Sequence, residues 1–167
     1  GFNMINDISA GGQDNKNFDL SIKFNVPIVI MHMRGNPKTM QNNLIYDNII
    51  DDLLIFFDER INSAISKGIS LDNIIIDPGI GFGKTKDDNF KIIKNINKLK
   101  RFGVKVLIGI SRKSFLELDN DKPEDRLETS LSALSIAVYN GVDIVRVHDI
   151  YKTYKVVNII DRIKNQS

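Results

Sequence analysis

The stretch from residue 74 to residue 85 reads Ile74-Ile75-Ile76-Asp77-Pro78-Gly79-Ile80-Gly81-Phe82-Gly83-Lys84-Thr85. Its first three residues are apolar and β-branched, which is typical of a buried parallel strand. Residues 86–100 follow with apolar positions at helical spacing. The sequence therefore predicts a strand, a glycine-rich loop and a helix. Because glycine lets a backbone approach a ligand closely, the loop is a candidate small-molecule site; the alternative is a connector whose glycines only permit a tight turn.

The loop does not match the familiar nucleotide-binding motifs. A Walker loop would require glycine at position 78, which is Pro78. A dinucleotide fingerprint that starts at Gly79 would require glycine at position 84, which is Lys84. The class of ligand must therefore be inferred from other parts of the chain.

Composition narrows the classes of protein to consider. The chain has 167 residues, of which 42% are hydrophobic and 26% charged, as in an ordinary globular domain with its own core. A net charge of +2 is too small to argue for nucleic acid, and the absence of cysteine excludes disulfides and thiolate ligands. The sequence contains no membrane-length apolar run and no evident signal peptide, so we expect a cytoplasmic protein without a membrane partner. It starts at Gly1, directly before a strand-like segment, as if entered partway through a longer chain.

Strands and helices alternate along the whole chain. The predicted strands are 4–8, 27–33, 73–77, 104–110 and 142–148, and the predicted helices are 17–24, 44–67, 86–100, 125–140 and 151–163. This order predicts an α/β fold in one domain, 1–167, with a parallel sheet that is either open or part of a (β/α) barrel. A (β/α)8 TIM barrel needs eight units and about 250 residues, so five units cannot close one.

Several residues lie at or near the carboxyl end of a predicted strand: Asn6, Met31, Asp77, Gly109, Arg146 and His148. Strand alternation puts Arg146 and His148 on one face, because they are two residues apart. Ligands bind at the carboxyl ends of strands in barrels and open α/β sheets. Each residue alone has a structural explanation, such as a capping Asp or a surface ion pair, but together they favour a site.

Five motifs in order carry a family resemblance: residues 5–9, 31–41, 77–85, 111–114 and 146–149, which read INDIS, MHMRGNPKTMQ, DPGIGFGKT, SRKS and RVHD. In these motifs the chain resembles the dihydropteroate synthase family over essentially its whole length. The family is built on a (β/α)8 barrel, and the order of the motifs matches its strands four to eight. The resemblance implies that the family's first three βα units are missing from these residues.

The resemblance implies roles in binding a pterin. The family joins 6-hydroxymethyl-7,8-dihydropterin pyrophosphate to p-aminobenzoate and releases pyrophosphate. Asp77 is matched to the aminopyrimidinone edge, because a buried carboxylate accepts two N–H bonds well. The other residues matched to the pterin are Asn6, Ile8, Met31, Leu107, Gly109, Lys113 and Arg146.

Further matches concern the second substrate and the leaving group. Phe82 and Lys113 would flank the p-aminobenzoate ring, and Ser114 would open the next helix and receive the carboxylate. Arg146 and His148 are matched to the pyrophosphate, so Lys113, Arg146 and His148 are the predicted catalytic residues. Pyrophosphate leaves readily once Mg²⁺ and cationic side chains neutralise it, so positioning and electrostatics should dominate over a catalytic base. No metal ligands are evident in this sequence, so Mg²⁺ would be held by the pyrophosphate and the family's first loop.

The family's first two loops and a third-strand carboxylate are outside these residues, which leaves three interpretations: a fragment, half of a split enzyme or a degenerate remnant. Two other functions stay open. One is a methyltetrahydrofolate-dependent methyltransferase with a related pterin site, although the segment from Ser111 to Ser114 and the Arg146-x-His148 pair favour the synthase. The other is a non-catalytic pterin-binding protein. By resemblance, the complete protein would be a homodimer.

Overall fold

A computed structural model describes residues 1, 3–12, 15–35 and 45–166. Its strands are β1 (Ile5–Asp7), β2 (Ile28–Met31), β3 (Ile74–Asp77), β4 (Lys105–Ile108) and β5 (Ile144–Val145). All neighbours pair in parallel, in the order β1-β2-β3-β4-β5. The predicted α/β fold with five parallel strands is confirmed.

The helices alternate with these strands: α1 (Lys16–Phe24), α2 (Ile49–Lys67), α3 (Lys86–Lys94), α4 (Leu127–Tyr139) and α5 (Ile150–Lys164). Single 3-10 segments span Leu71–Asn73, Ile96–Phe102, Ser114–Leu116 and Pro123–Asp125. None of the helices in the described ranges is long and apolar enough to cross a membrane.

Several predicted boundaries were wrong. The predicted helix 86–100 ends at Lys94, because the Asn95 side chain donates to the Lys91 carbonyl at 2.9 Å and the backbone continues as a 3-10 helix. Helix α2 begins at Ile49, where the Asn48 side chain accepts a bond from the Ile50 N–H, and the predicted start at 44 lies outside the described residues.

The two faces of the sheet bury different sets of residues. One face packs against the helices, and its residues Ile30, Ile76 and Ile108 join the main core. The other face, called here the inner face, carries a smaller cluster of Val29, Ile75 and Leu107. This separation follows from the two-residue period of strands.

Both faces of the central strands are covered, which explains why these strands read as continuous apolar runs. Residues of β2 and β3 are buried throughout. Register places Met31 beside Asp77, so both belong to the inner face, at the carboxyl end of the sheet. The glycine-rich loop begins there and ends at α3, where Thr85 and Asp88 form a capping box.

Candidate functional site

Asp77 lies at the end of β3 and is only 1% exposed. Its Oδ1 accepts a bond from the Gly79 N–H at 2.8 Å, and its Oδ2 accepts one from Arg146 Nη2 at 2.9 Å. A buried carboxylate is stable only when its charge is compensated by such bonds. The carboxylate therefore depends on one backbone donor and one arginine.

Arg146 connects three strands across the inner face. Its Nη1 donates to Asn6 Oδ1 at 3.0 Å, while its Nη2 holds Asp77. A Cβ at Gly109 would lie 3.0 Å from Arg146 Nη2, so glycine at that position gives the guanidinium its space. The sequence prediction brought Asn6, Asp77, Gly109 and Arg146 to one rim, and the structure places them in contact.

A cavity of about 240 Å³ adjoins Arg146. Its walls are formed by Phe82, Gly109, Ser111, Lys113, Arg146, Val147 and His148. The Lys113 ammonium lies 4.6 Å from the centre of the Phe82 ring and donates to the Ile80 carbonyl. The glycine-rich loop and the loop after β4 thus meet through a cation–π contact.

Lys113 is a cation in an unfavourable position. Burial lowers its pKa to about 8; the charge of Asp77 raises this pKa, and that of Arg146 lowers it. A bound anion would favour the charged form of Lys113, so the cavity suits a ligand with negative charge.

His148 follows β5, and its Nδ1 lies 3.0 Å from the Ser111 hydroxyl, which also accepts a bond from the His148 backbone N–H. One residue further, Asp149 accepts two bonds from Arg112, at 3.0 and 2.9 Å. This bidentate bond lowers the pKa of Asp149 below its ordinary value. These bonds tie the segment that carries Lys113 to the segment that carries His148.

Ser114 corrects one local prediction. It opens a 3-10 helix of only three residues, 114–116, instead of an α-helix, and α4 begins at Leu127. Ser114 is exposed and is not among the residues that line the cavity. A 3-10 helix of three residues lacks the aligned peptide dipoles of a longer helix, so an anion site at Ser114 would rest on its hydroxyl and neighbouring side chains.

The apolar residues matched to the pterin differ in placement. Met31 and Leu107 are buried on the inner face, and Met31 pairs with Asp77 in register. Ile8 lies in the turn after β1 and is 40% exposed. Their role in binding a pterin stays a prediction.

Sequence reasoning missed two buried polar residues, His32 after β2 and Lys84 in the glycine-rich loop. They are 6% and 4% exposed. Lys84 Nζ lies 3.0 Å from His32 Nδ1. Lysine is rarely buried, so its position in a glycine-rich loop gave no direct signal. For His32 the sequence did carry a signal, because this residue directly follows an apolar strand that ends at the same rim. Ser111 and Val147 of the cavity wall were missed as well.

A second, larger groove of about 580 Å³ lies between α3 and α4. Its apolar lining includes Phe90, Ile93, Phe115, Leu118 and Ile136. Its polar lining residues include no buried charged side chain, whereas Asp77 lies buried beside Arg146, so we assign the chemistry to the smaller cavity.

The cavity does not offer a site for a metal held by this chain alone. Lys113 and Arg146 are cations, and the nearest carboxylate, Asp77, already accepts bonds from Gly79 and Arg146. Across the described ranges, no three His, Cys, Asp or Glu side chains are grouped as metal ligands. These donors do not fit a divalent cation, which prefers carboxylate and water oxygens.

Comparison with known proteins gives a consistent result. Residues 1–148 match the model of a family described as pterin binding enzyme. Dihydropteroate synthase of Haemophilus influenzae is 40% identical over 95% of this chain and 58% of its own length.

Two solved structures resemble the chain closely. A Yersinia pestis dihydropteroate synthase in complex with a sulfonamide drug has a TM-score of 0.93 and 33% identity, over 98% of this chain and 60% of that one. A Xanthomonas albilineans dihydropteroate synthase with 4-aminobenzoic acid has a TM-score of 0.90 and 32% identity, over 100% and 59%. The chain thus spans less than two thirds of the length of these proteins.

Proposed function

Because the chain belongs to the pterin-binding enzyme family, we propose that it forms the pterin and p-aminobenzoate sites of a dihydropteroate synthase. In that reaction the amine of p-aminobenzoate attacks the exocyclic methylene of 6-hydroxymethyl-7,8-dihydropterin pyrophosphate. A C–N bond forms, the C–O bond breaks, pyrophosphate leaves and the amine loses a proton. The observation that carries the proposal is the Asn6–Arg146–Asp77 bridge beside a cavity lined by Phe82, Lys113 and His148.

Asp77 would recognise the pterin. A carboxylate accepts two N–H bonds side by side, which matches the amino group and ring nitrogen of an aminopyrimidinone. Arg146 Nη2 donates to Oδ2 of Asp77 at 2.9 Å. Pterin binding would therefore displace the guanidinium, which is 44% exposed and has room to move. Arg146 could then lie flat against the pterin, as planar guanidinium groups do against aromatic faces.

Phe82 and Lys113 would hold the second substrate. The ring of Phe82 offers an apolar surface for an arylamine, and the Lys113 cation lies close to that ring. The role proposed for Ser114 in binding the carboxylate is supported only by its place next to Lys113.

The residues of this chain would act mainly through position and charge. An arylamine is already a neutral nucleophile, so it needs little help from a base. Cationic Lys113 and Arg146, with His148, would stabilise the negative charge that develops on the departing pyrophosphate. Mg²⁺ would reach the site with the pyrophosphate, since the described residues supply no ligand set for it.

Two further proposals concern the whole protein. We propose that it is a homodimer, supported by the apolar groove between α3 and α4, where Phe90 and Ile136 are 45% and 54% exposed. Its cytoplasmic location stays a prediction.

The test is product formation. The full-length natural polypeptide that carries residues 1–167 is incubated with both substrates and Mg²⁺, and dihydropteroate is measured by chromatography. We expect product that depends on both substrates. Transfer of a methyl group from methyltetrahydrofolate to a cobalamin protein, without dihydropteroate, would support the methyltransferase; pterin binding without either reaction would support a non-catalytic protein.

A further inference from the structure

The side chain of Lys84, in the glycine-rich loop, is buried, and three acceptors lie around its Nζ. It lies 3.0 Å from His32 Nδ1, 3.4 Å from the His32 carbonyl and 2.9 Å from the Phe82 carbonyl. Lys84 is absent from the residues that line the cavity near Arg146. Its ammonium therefore links the end of β2 to the residue whose ring forms one wall of that cavity.

His32 is a well-fixed acceptor for Lys84. Burial, followed by the charges of Lys84 and Arg34, lowers the pKa of His32 to about 3, so its ring is neutral near pH 7 and Nδ1 can accept a bond. Its backbone N–H donates to the Asp77 carbonyl at 2.9 Å, and its ring packs edge-on against Phe56 at 4.8 Å. His32 thus has little freedom to move.

The loop is pressed closely against His32. Gly79 has a φ of +67°, and a Cβ there would lie 1.9 Å from the His32 carbonyl oxygen. Two further bonds hold neighbouring glycines: Asn89 accepts from the Gly81 N–H at 2.7 Å, and the Tyr46 hydroxyl donates to the Gly83 carbonyl at 2.8 Å. Between these two points, Lys84 holds the carbonyl of Phe82 itself.

We propose that Lys84 is a positioning residue that sets the Phe82 ring for the arylamine substrate. Burying a lysine side chain costs desolvation energy, which the hydrogen bonds to His32 and Phe82 offset only in part. The bonds of Asn89 to the Gly81 N–H and of Tyr46 to the Gly83 carbonyl could hold the loop by themselves. The bond from Lys84 to the Phe82 carbonyl fixes the backbone from which the ring projects, opposite Lys113.

The test rests on the proposed function for its kinetic part and uses the full-length natural polypeptide. Lys84→Met is compared with Lys91→Met, which removes an exposed lysine from the neighbouring helix. For Lys84→Met we expect the KM for p-aminobenzoate to rise at least tenfold, with the KM for the pterin substrate within twofold. Lys91→Met should leave both unchanged. Equal changes in both KM values for Lys84→Met would overturn the proposal.

A double-mutant cycle tests whether Lys84 acts through Phe82. If it does, Lys84→Met should add little to the KM for p-aminobenzoate when Phe82 is already Ala. Multiplicative effects of the two substitutions would contradict the proposal. If Lys84→Met does not fold, Lys84→Gln, which keeps two donors, replaces it; if neither folds, Lys84 is a stability residue and the proposal is wrong.

A measurement without substrate separates this proposal from the proposed function. The Phe82 N–H donates to the Gly79 carbonyl at 3.0 Å, so its hydrogen exchange reports the loop conformation. We expect Lys84→Met to accelerate this exchange at least tenfold, while the amides of α5 stay unchanged. If Lys84→Met accelerates the exchange but the unaltered protein has no synthase activity, the proposed function is wrong. The placement of the loop by Lys84 is then still supported. Unchanged exchange would refute the role of Lys84 whatever the activity.

Discussion

The Asp77 carboxylate accepts one bond from the Gly79 backbone N–H and one from the Arg146 guanidinium. We predict that Asp77→Ala lowers pterin affinity at least about tenfold, because charge-assisted bonds contribute roughly 1.5–3 kcal/mol each. Calorimetry on the full-length protein measures this change. Asp87→Ala, on the exposed first turn of α3, is the control and should bind normally. Unchanged pterin binding in Asp77→Ala would remove Asp77 from the site.

The lowered pKa of Lys84 makes the stability of the protein depend on pH. Burial lowers the pKa of Lys84 from 10.5 to about 7, although the charge of Asp77 raises it. Between about pH 7 and pH 10.5 the unfolded chain therefore binds a proton that the folded chain does not. The free energy of unfolding should therefore rise with pH from about 7 to 10.5, with Lys113 adding the same sign above about 8. Denaturant titrations at several pH values measure this slope, which Lys84→Met should reduce. An equal slope in both proteins would show that Lys84 titrates normally.

The sequence could predict which residues lie at the carboxyl end of the sheet, but not the hydrogen bonds between them. The two-residue period of strands and the resemblance brought Asn6, Asp77 and Arg146 together. Neither source could predict that Arg146 donates to both Asn6 and Asp77, because these bonds depend on three strand ends folding next to each other. The burial of Lys84 was equally hidden, since only the folded loop shows three acceptors around its ammonium.

Among the elements, strand centres were predicted well and ends poorly. The apolar runs fixed β2 and β3 because both faces of these strands are buried. The predicted strand 142–148 shortened to Ile144–Val145, the two residues that pair with Leu107 and Ile108 of β4. Arg146 still donates its N–H to the Ile108 carbonyl at 2.9 Å, which keeps its side chain on the inner face.

The short turn at Ser114–Leu116 carries a prediction about the second substrate. Sulfonamides copy the shape and anionic end of p-aminobenzoate, so we expect one to compete with it in the full-length enzyme. Ser114→Phe should weaken both ligands, because it adds bulk beside Lys113, whereas Ser66→Phe at an exposed position of α2 should not. Steady-state inhibition at several concentrations of p-aminobenzoate is the measurement. Inhibition that is noncompetitive towards p-aminobenzoate would contradict a shared pocket.

For the whole molecule, the order of the sheet leaves β1 and β5 at its two edges within the described part of the chain. Each edge exposes the N–H and C=O groups on one side of a parallel strand, and Met4 and Ile8 beside β1 are 42% and 40% exposed. Such edges invite aggregation or pairing with another chain. The apolar cluster on the inner face is small. The interior of a complete barrel is filled by side chains from all eight strands, and this sheet contributes only five.

We therefore predict that residues 1–167, expressed by themselves, are marginally stable and have no measurable synthase activity. A separate polypeptide with the first three βα units of the Haemophilus influenzae relative should pair with both edges and restore solubility and product formation. Size-exclusion chromatography and the dihydropteroate assay, with and without that polypeptide, are the measurements. A segment of equal length from another part of the relative is the control and should restore neither property. A monodisperse, active chain of 167 residues by itself would show that the edges need no partner, and that Asn6, Asp77 and Arg146 suffice to organise the site.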